Sequence, residues 1–123
     1  MREDITLLYV DDEPINIMLF EVNFKKYYRV ITAVSGNDGL SKLKSDPEIS
    51  ILISDMKMPG MNGIEFIRLA KQDFHSLHCM ILTGFDVTDD ITIALEEKLI
   101  CKYLSKPFDL KQIMEAITEA VSQ

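Results

Sequence analysis

The sequence predicts an α/β fold, a three-layer (βα)5 sandwich with one parallel five-stranded sheet between two layers of helices. Three observations carry this expectation. Five apolar runs of strand length recur along the chain, at Ile5 to Val10, Arg29 to Ala33, Ile49 to Ser54, Cys79 to Leu82 and Ile100 to Leu104. Segments of helical period follow each run, and Asp46-Pro47, Pro59-Gly60 and Lys106-Pro107 punctuate the gaps. Strand and helix alternate throughout, which implies parallel pairing, because each right-handed crossover must carry its helix over one face of the sheet.

Taken in order, the first run leads into a helical segment from about Pro14 to Lys26. Its pattern has two readings, since Ile15, Met18, Leu19 and Val22 form one apolar stripe while Ile17, Phe20 and Phe24 form another. Either the helix buries a broad face, or one stripe stays exposed for a partner. Weaker helical signals cover about Asn37 to Lys44, Gly63 to Lys71 and Thr88 to Lys98. The last helix is the clearest, with Leu110, Ile113, Met114, Ile117, Ala120 and Val121 on one face. Asp109 is its N-cap, with Gln112 at the capping-box position.

At 123 residues the chain fits one domain, 1–123, with no linker, repeat or low-complexity tract. A hydrophobic content of 47% with 27% charged residues is that of a globular protein. Lys and Arg number 13 against 20 Asp and Glu, and the net charge of −7 disfavours direct nucleic-acid binding. No apolar run approaches the ~18 residues of a membrane span, and the start of the chain is not a signal peptide. Cys79 and Cys101 lie in apolar runs without metal-ligand spacing, so both are expected to be buried, reduced thiols of a cytoplasmic protein.

In an open parallel sheet the ligand site forms beyond the carboxyl ends of the strands. The first run stops at Asp11-Asp12-Glu13, the third at Asp55, the fourth at Thr83-Gly84 and the fifth at Ser105-Lys106-Pro107. Each signal alone is weak: an Asp pair is more often a helix cap, and Lys-Pro is usually a turn. Together, at successive strand ends, they describe a site. Carboxylates gathered on one rim repel one another unless a cation intervenes, and oxygen ligands with open positions suit Mg²⁺. Lys106 and Thr83 would then cage a phosphoryl group, with a carboxylate such as Asp55 as its nucleophile.

These residues resemble the receiver (response-regulator) family of two-component signalling over essentially the whole chain. The resemblance rests on Val10-Asp11-Asp12-Glu13-Pro14, on Ser54-Asp55-Met56-Lys57-Met58-Pro59-Gly60-Met61-Asn62-Gly63, on Leu82-Thr83-Gly84, and on Tyr103-Leu104-Ser105-Lys106-Pro107-Phe108. It implies a flavodoxin-like fold with strand order 2-1-3-4-5. It also implies a phosphorylation-dependent switch that takes a phosphoryl group from a kinase phosphohistidine onto Asp55 and catalyses only its own phosphorylation and dephosphorylation. Mg²⁺ would be bound by Asp11, Asp12, Asp55 and the backbone carbonyl of Lys57. Thr83 would be the switch hydroxyl, Lys106 its cationic partner, Tyr103 the switch aromatic, and Lys106-Pro107 a cis peptide.

The partners implied are a sensor histidine kinase or phosphotransfer protein, and an output protein or domain. The output face comprises the fourth helix, fifth strand and fifth helix, with Glu96, Glu97, Lys98, Lys102 and Tyr103 on it. A phosphorylation-dependent dimer is compatible with it. The stretch from Ala94 to Pro107 resembles receivers joined to enzymatic output domains such as phosphodiesterases. Lys57 and Phe85 are expected to flank the phosphoryl site, Lys57 pairing with Glu13 and Phe85 acting as a lid against water. Two positions depart from the family pattern. Gly39 stands where Ala is common and should weaken the second helix by ~1 kcal/mol, and Gly84 should leave access for the phosphodonor.

Two other classes compete. A Mg²⁺-dependent phosphohydrolase would use an aspartyl phosphate too, but usually carries a second Asp where this chain has Lys57. A phosphorylation-independent scaffold would bind its partner equally well with Asp55→Asn. A nucleotide-binding enzyme is disfavoured, because the first strand runs into acids rather than a Gly-rich loop.

Overall fold

The computed structural model describes residues 4–84 and 87–122. Phe85, expected to be a lid, lies outside them. Strands β1 (Thr6–Val10), β2 (Arg29–Ala33), β3 (Ile49–Asp55), β4 (His78–Thr83) and β5 (Lys102–Ser105) alternate with helices α1 (Pro14–Phe24), α2 (Gly36–Ser45), α3 (Gly63–Asp73), α4 (Asp89–Glu96) and α5 (Leu110–Val121). All strand pairs are parallel, in the order β2-β1-β3-β4-β5. The flavodoxin-like (βα)5 architecture expected from the sequence is the one observed.

The two-residue period of each central strand divides the core into two halves. Leu8 and Val10, Leu52, and Cys79 and Ile81 point to the side where α2, α3 and α4 supply Leu43, Phe66, Ile67, Ile91 and Ala94. Leu7 and Tyr9, Ile51 and Ile53, and Met80 and Leu82 point the other way, onto Phe20 and Phe24 of α1 and Ile113, Ala116 and Ile117 of α5. Buried on both faces, these strands read as continuous apolar runs.

Local signals set the helix starts. Pro14 opens α1 at a position that needs no N–H donor. Asp109 caps α5 by accepting from the Gln112 N–H at 3.2 Å, while a full capping box forms at α3, between Asn62 and Glu65. Helix α4 stops at Glu96, short of the expected Lys98. Lys98 adopts φ 61°, and the Leu99 and Ile100 N–H groups turn back to the Ala94 carbonyl. Ile100 is therefore a buried loop residue, and β5 begins two residues later than its apolar run.

Three expectations need correction or decision. Cys101 is exposed, because it sits just ahead of β5 at the sheet margin, while Cys79 is buried and its thiol is pushed up to about 12 by that burial. The two stripes of α1 do not share the core: Phe20 and Phe24 are fully buried, whereas Ile15, Met18, Leu19 and Val22 are 45–66% exposed. Gly39 has a packing reason, since a Cβ there would lie 2.6 Å from the Phe66 ring.

Candidate functional site

The carboxyl ends of β1, β3, β4 and β5 form one rim, and each delivers the group its sequence ends on. The pleat aims Asp55 to the α1–α5 side, in line with Ile51 and Ile53, and the chain leaving β1 places Asp11 beside it. Asp11, Asp12 and Asp55 each present a carboxylate oxygen, all within 4.8 Å of one another. Asp11 is fully buried, Asp55 nearly so, and Asp12 half-buried. The acid pair does not cap α1, whose N-cap is Glu13 without a side-chain bond. Instead Asp11 Oδ1 accepts from the Glu13 N–H at 2.9 Å.

Lys106 bridges the buried acids, with Nζ 3.2 Å from Asp11 Oδ2 and 3.1 Å from Asp55 Oδ1. Its backbone N–H donates to the Thr83 carbonyl at 2.8 Å, which ties the end of β5 to the end of β4, and the Lys106–Pro107 peptide is cis. Burial raises Asp55 above the ordinary carboxylate range; Lys106 pulls the other way, and the neighbouring Asp11 charge adds to the rise. Burial works against the charge on the Lys106 ammonium, but Asp11 and Asp55 more than offset it, and the amine is raised. One ammonium thus leaves the acid cluster short of positive charge. A cluster of hard oxygen donors in that condition fits a divalent cation.

The loop after β3 is shaped by close approach. A Cβ on Gly63 would lie 2.4 Å from the Asp55 carbonyl oxygen, and the Gly63 N–H donates to the Met56 carbonyl at 2.8 Å. Gly60 takes φ 81°, the left-handed conformation that suits glycine. Thr83 is buried at the end of β4 and lines a cavity of about 370 Å³ with Met56, Lys57, Met58, Asn62, Thr88 and Ile91. Tyr103, on β5, is half-buried against the α3–α4 half of the core. Of the residues singled out from the sequence, Asp11, Asp12, Asp55, Thr83 and Lys106 therefore converge on this rim, Lys57 stands exposed at its mouth, and Tyr103 stands beside it rather than in it. At Gly84 a Cβ would meet the Lys106 stem at 3.9 Å, an ordinary van der Waals contact, so among the described residues nothing bars a side chain there.

Sequence reasoning missed one residue. Tyr9, buried on β1, donates its hydroxyl to Asp11 Oδ2 at 2.7 Å. The strand period, which puts residues 7, 9 and 11 on one face, was the available signal.

Comparison with known proteins agrees with this geometry. The profile of the response regulator receiver domain matches residues 7–118. Sporulation initiation phosphotransferase F of Bacillus subtilis is 34% identical over 113 residues, covering 90% of this chain and 89% of its own. The hydrogenase transcriptional regulatory protein HoxA of Cupriavidus necator is 26% identical over 116 residues, 94% of this chain, which spans only 24% of HoxA. A probable cyclic di-GMP phosphodiesterase of Vibrio cholerae is 34% identical over 107 residues, covering 85% of this chain and 24% of that protein. Among solved structures, a response regulator receiver domain protein from Clostridium thermocellum superposes with a TM-score of 0.89 at 28% identity, covering 96% of this chain and 94% of its own. The acid cluster, its lysine bridge and these matches lead to one conclusion: the chain belongs to the response regulator receiver family, phosphorylation-dependent switches of two-component signalling whose own chemistry is limited to gaining and losing a phosphoryl group.

Proposed function

We propose that Asp55 is the phosphoacceptor and that the phosphoryl group comes from the phosphohistidine of a sensor histidine kinase or phosphotransfer protein. The observation that carries this reading is the trio of carboxylates at the strand ends, two of them, Asp11 and Asp55, bridged by Lys106. Asp11, Asp12 and Asp55, with the backbone carbonyl of Lys57, would hold Mg²⁺, which neutralises charge on the phosphoryl oxygens. Asp55 Oδ attacks phosphorus, the histidine nitrogen leaves, and Lys106 exchanges a carboxylate contact for one to the new phosphoryl group. Thr83 would supply the switch hydroxyl. A change in the Thr83 side chain reaches Tyr103 through β4 and β5, which pair Ile81 with Tyr103 and Thr83 with Ser105.

Output through α4, β5 and α5 fits the exposed Ile93, Glu96 and Lys98, although Glu97 is already paired with Arg68 of α3 at 3.0 Å. The exposed stripe of α1 favours the second reading of that helix, a contact with a partner. Leu19 of the stripe lines a cavity of about 480 Å³ together with Tyr9 and Lys106, the two side chains that hold Asp11, so a phosphodonor docked on the stripe would sit next to the site. The setting is cytoplasmic in this reading, and a retarding role for Lys57 with Glu13 at the site mouth belongs to it as well.

The test is a backbone NMR spectrum with Mg²⁺ and beryllofluoride, a mimic of the acyl phosphate. Shifts are expected at Thr83, Tyr103 and along α4, and none in Asp55→Asn. Identical spectra with and without the mimic would refute the switch, leaving the scaffold reading.

A further inference from the structure

The acid cluster contains a neutral donor for which the phosphoryl chemistry described above has no use. The Tyr9 hydroxyl holds Asp11 Oδ2 at 2.7 Å, the same oxygen that Lys106 Nζ approaches at 3.2 Å. Lys106 is shared, since it also reaches Asp55 at 3.1 Å. The tyrosine ring is clamped. Phe20 stacks on it at 4.1 Å and 3°, Phe24 continues the stack at 4.4 Å, and Phe108 closes edge-on over Phe20 at 5.9 Å. Strand β1 is paired on both sides, by β2 and β3, so the backbone beneath the ring is fixed as well.

A dication entering the cluster repels the Lys106 ammonium, and a phosphoryl group draws that ammonium away, so in either event the lysine loosens its hold on Asp11. A phenol carries no charge to be repelled. We propose that Tyr9 is a positioning residue for the divalent-cation site, keeping the Asp11 carboxylate aimed at Asp12 and Asp55 when Lys106 turns to other partners. This rests on the reading that these three acids hold Mg²⁺. Groups that orient a metal ligand in this way commonly change affinity by about 10–100-fold when removed.

Titration calorimetry with Mg²⁺ on the wild-type chain, Tyr9→Phe and Phe24→Leu tests the proposal. Tyr9→Phe retains the ring and its stack, and Asp11 retains Glu13 and Lys106, so the fold is preserved. Its Kd for Mg²⁺ should rise about tenfold. Phe24→Leu loosens the stack but leaves the hydroxyl; it should lower the Tm while keeping the Kd within about twofold of wild type. A near-ultraviolet tyrosine difference spectrum on adding Mg²⁺ should appear in the wild type and Phe24→Leu and be lost in Tyr9→Phe, which still contains Tyr27, Tyr28 and Tyr103. A Tyr9→Phe chain that binds Mg²⁺ as tightly as wild type, or a Phe24→Leu chain weakened as much as Tyr9→Phe, would overturn the proposal. No Mg²⁺ binding by the wild type would overturn the metal reading beneath it.

Discussion

Lys106→Met is the perturbation that interrogates the site most sharply, because it preserves the bulk of the stem and removes the ammonium that two buried carboxylates share. At 3.1 and 3.2 Å each contact carries a gross attraction of about 5 kcal/mol at an effective dielectric of 20. Desolvation cancels most of that, and breaking such a pair by removing one partner costs about 3–5 kcal/mol. Lys106 retains 22% side-chain exposure, so the lower end applies, about 3 kcal/mol. For a domain of this size that is a fall in Tm of about 12 °C.

The assay is urea unfolding followed by circular dichroism, in chelator at pH 7 and again with Mg²⁺. The folded-state amine lies above its unfolded value, so the stability it contributes is complete below about pH 10.4 and is lost as pH rises through the raised folded value. The deficit of the variant should accordingly hold up to about pH 9, below that point, and narrow toward acid pH, because the Asp55 carboxyl has lost the lysine charge that held it down. Mg²⁺ should stabilise Lys106→Met more than wild type, because the dication replaces the missing charge. A variant within about 1 kcal/mol of wild type in chelator, or one that gains no more from Mg²⁺ than wild type does, would refute the electrostatic account.

Asp55→Asn should raise stability at pH 7 in chelator, since burial holds the folded carboxyl above its unfolded value and ionising it opposes folding. The sign of linkage requires this gain to vanish as pH falls below about 4, which a urea series across pH would show. Gly63→Ala should cost about 2–4 kcal/mol and also impair phosphorylation, because its Cβ would meet the Asp55 carbonyl oxygen at 2.4 Å; a fully stable and active variant would contradict the packing argument. Asn62→Ala should cost about 1 kcal/mol through loss of the α3 capping box, read as a shift in urea midpoint; an unshifted midpoint would contradict the capping argument.

The fold and the core of the site were legible because both rest on short-range patterns. Apolar runs ending in Asp11-Asp12, Asp55, Thr83 and Lys106 are visible in one dimension, and parallel topology alone brings them to one rim. Misreadings arose where an apolar residue serves something other than a strand or a core. Ile100 is buried in the turn that ends α4, which moved the start of β5, and Cys101 stands at the sheet margin, exposed despite apolar neighbours. The stripes of α1 could not be ranked because both are equally hydrophobic; only the position of α1 on the sheet buries Phe20 and Phe24 and leaves Met18 and Val22 in water. Tyr9 was hidden for the opposite reason. Within an apolar strand it counts as core, and its hydroxyl acquires meaning only from the acid two residues on.

The gap at Gly39 is similar in kind. Helix propensity predicts that Ala would strengthen α2, but the Phe66 ring packed against that position comes from α3, a contact invisible to a one-dimensional reading. Gly63 was legible as part of a motif, whereas its cause is spatial: it lets the loop after β3 return to the backbone of the phosphoacceptor strand.

The central claim is a Mg²⁺-dependent phosphoacceptor at Asp55. The most direct measurement is the intact mass of the chain after incubation with acetyl phosphate, with Mg²⁺, with chelator, and as Asp55→Asn. A single phosphoryl increment present only in the wild-type sample with Mg²⁺ is the result expected. An increment that persists in Asp55→Asn or in chelator would contradict the assignment of the acceptor or of the metal.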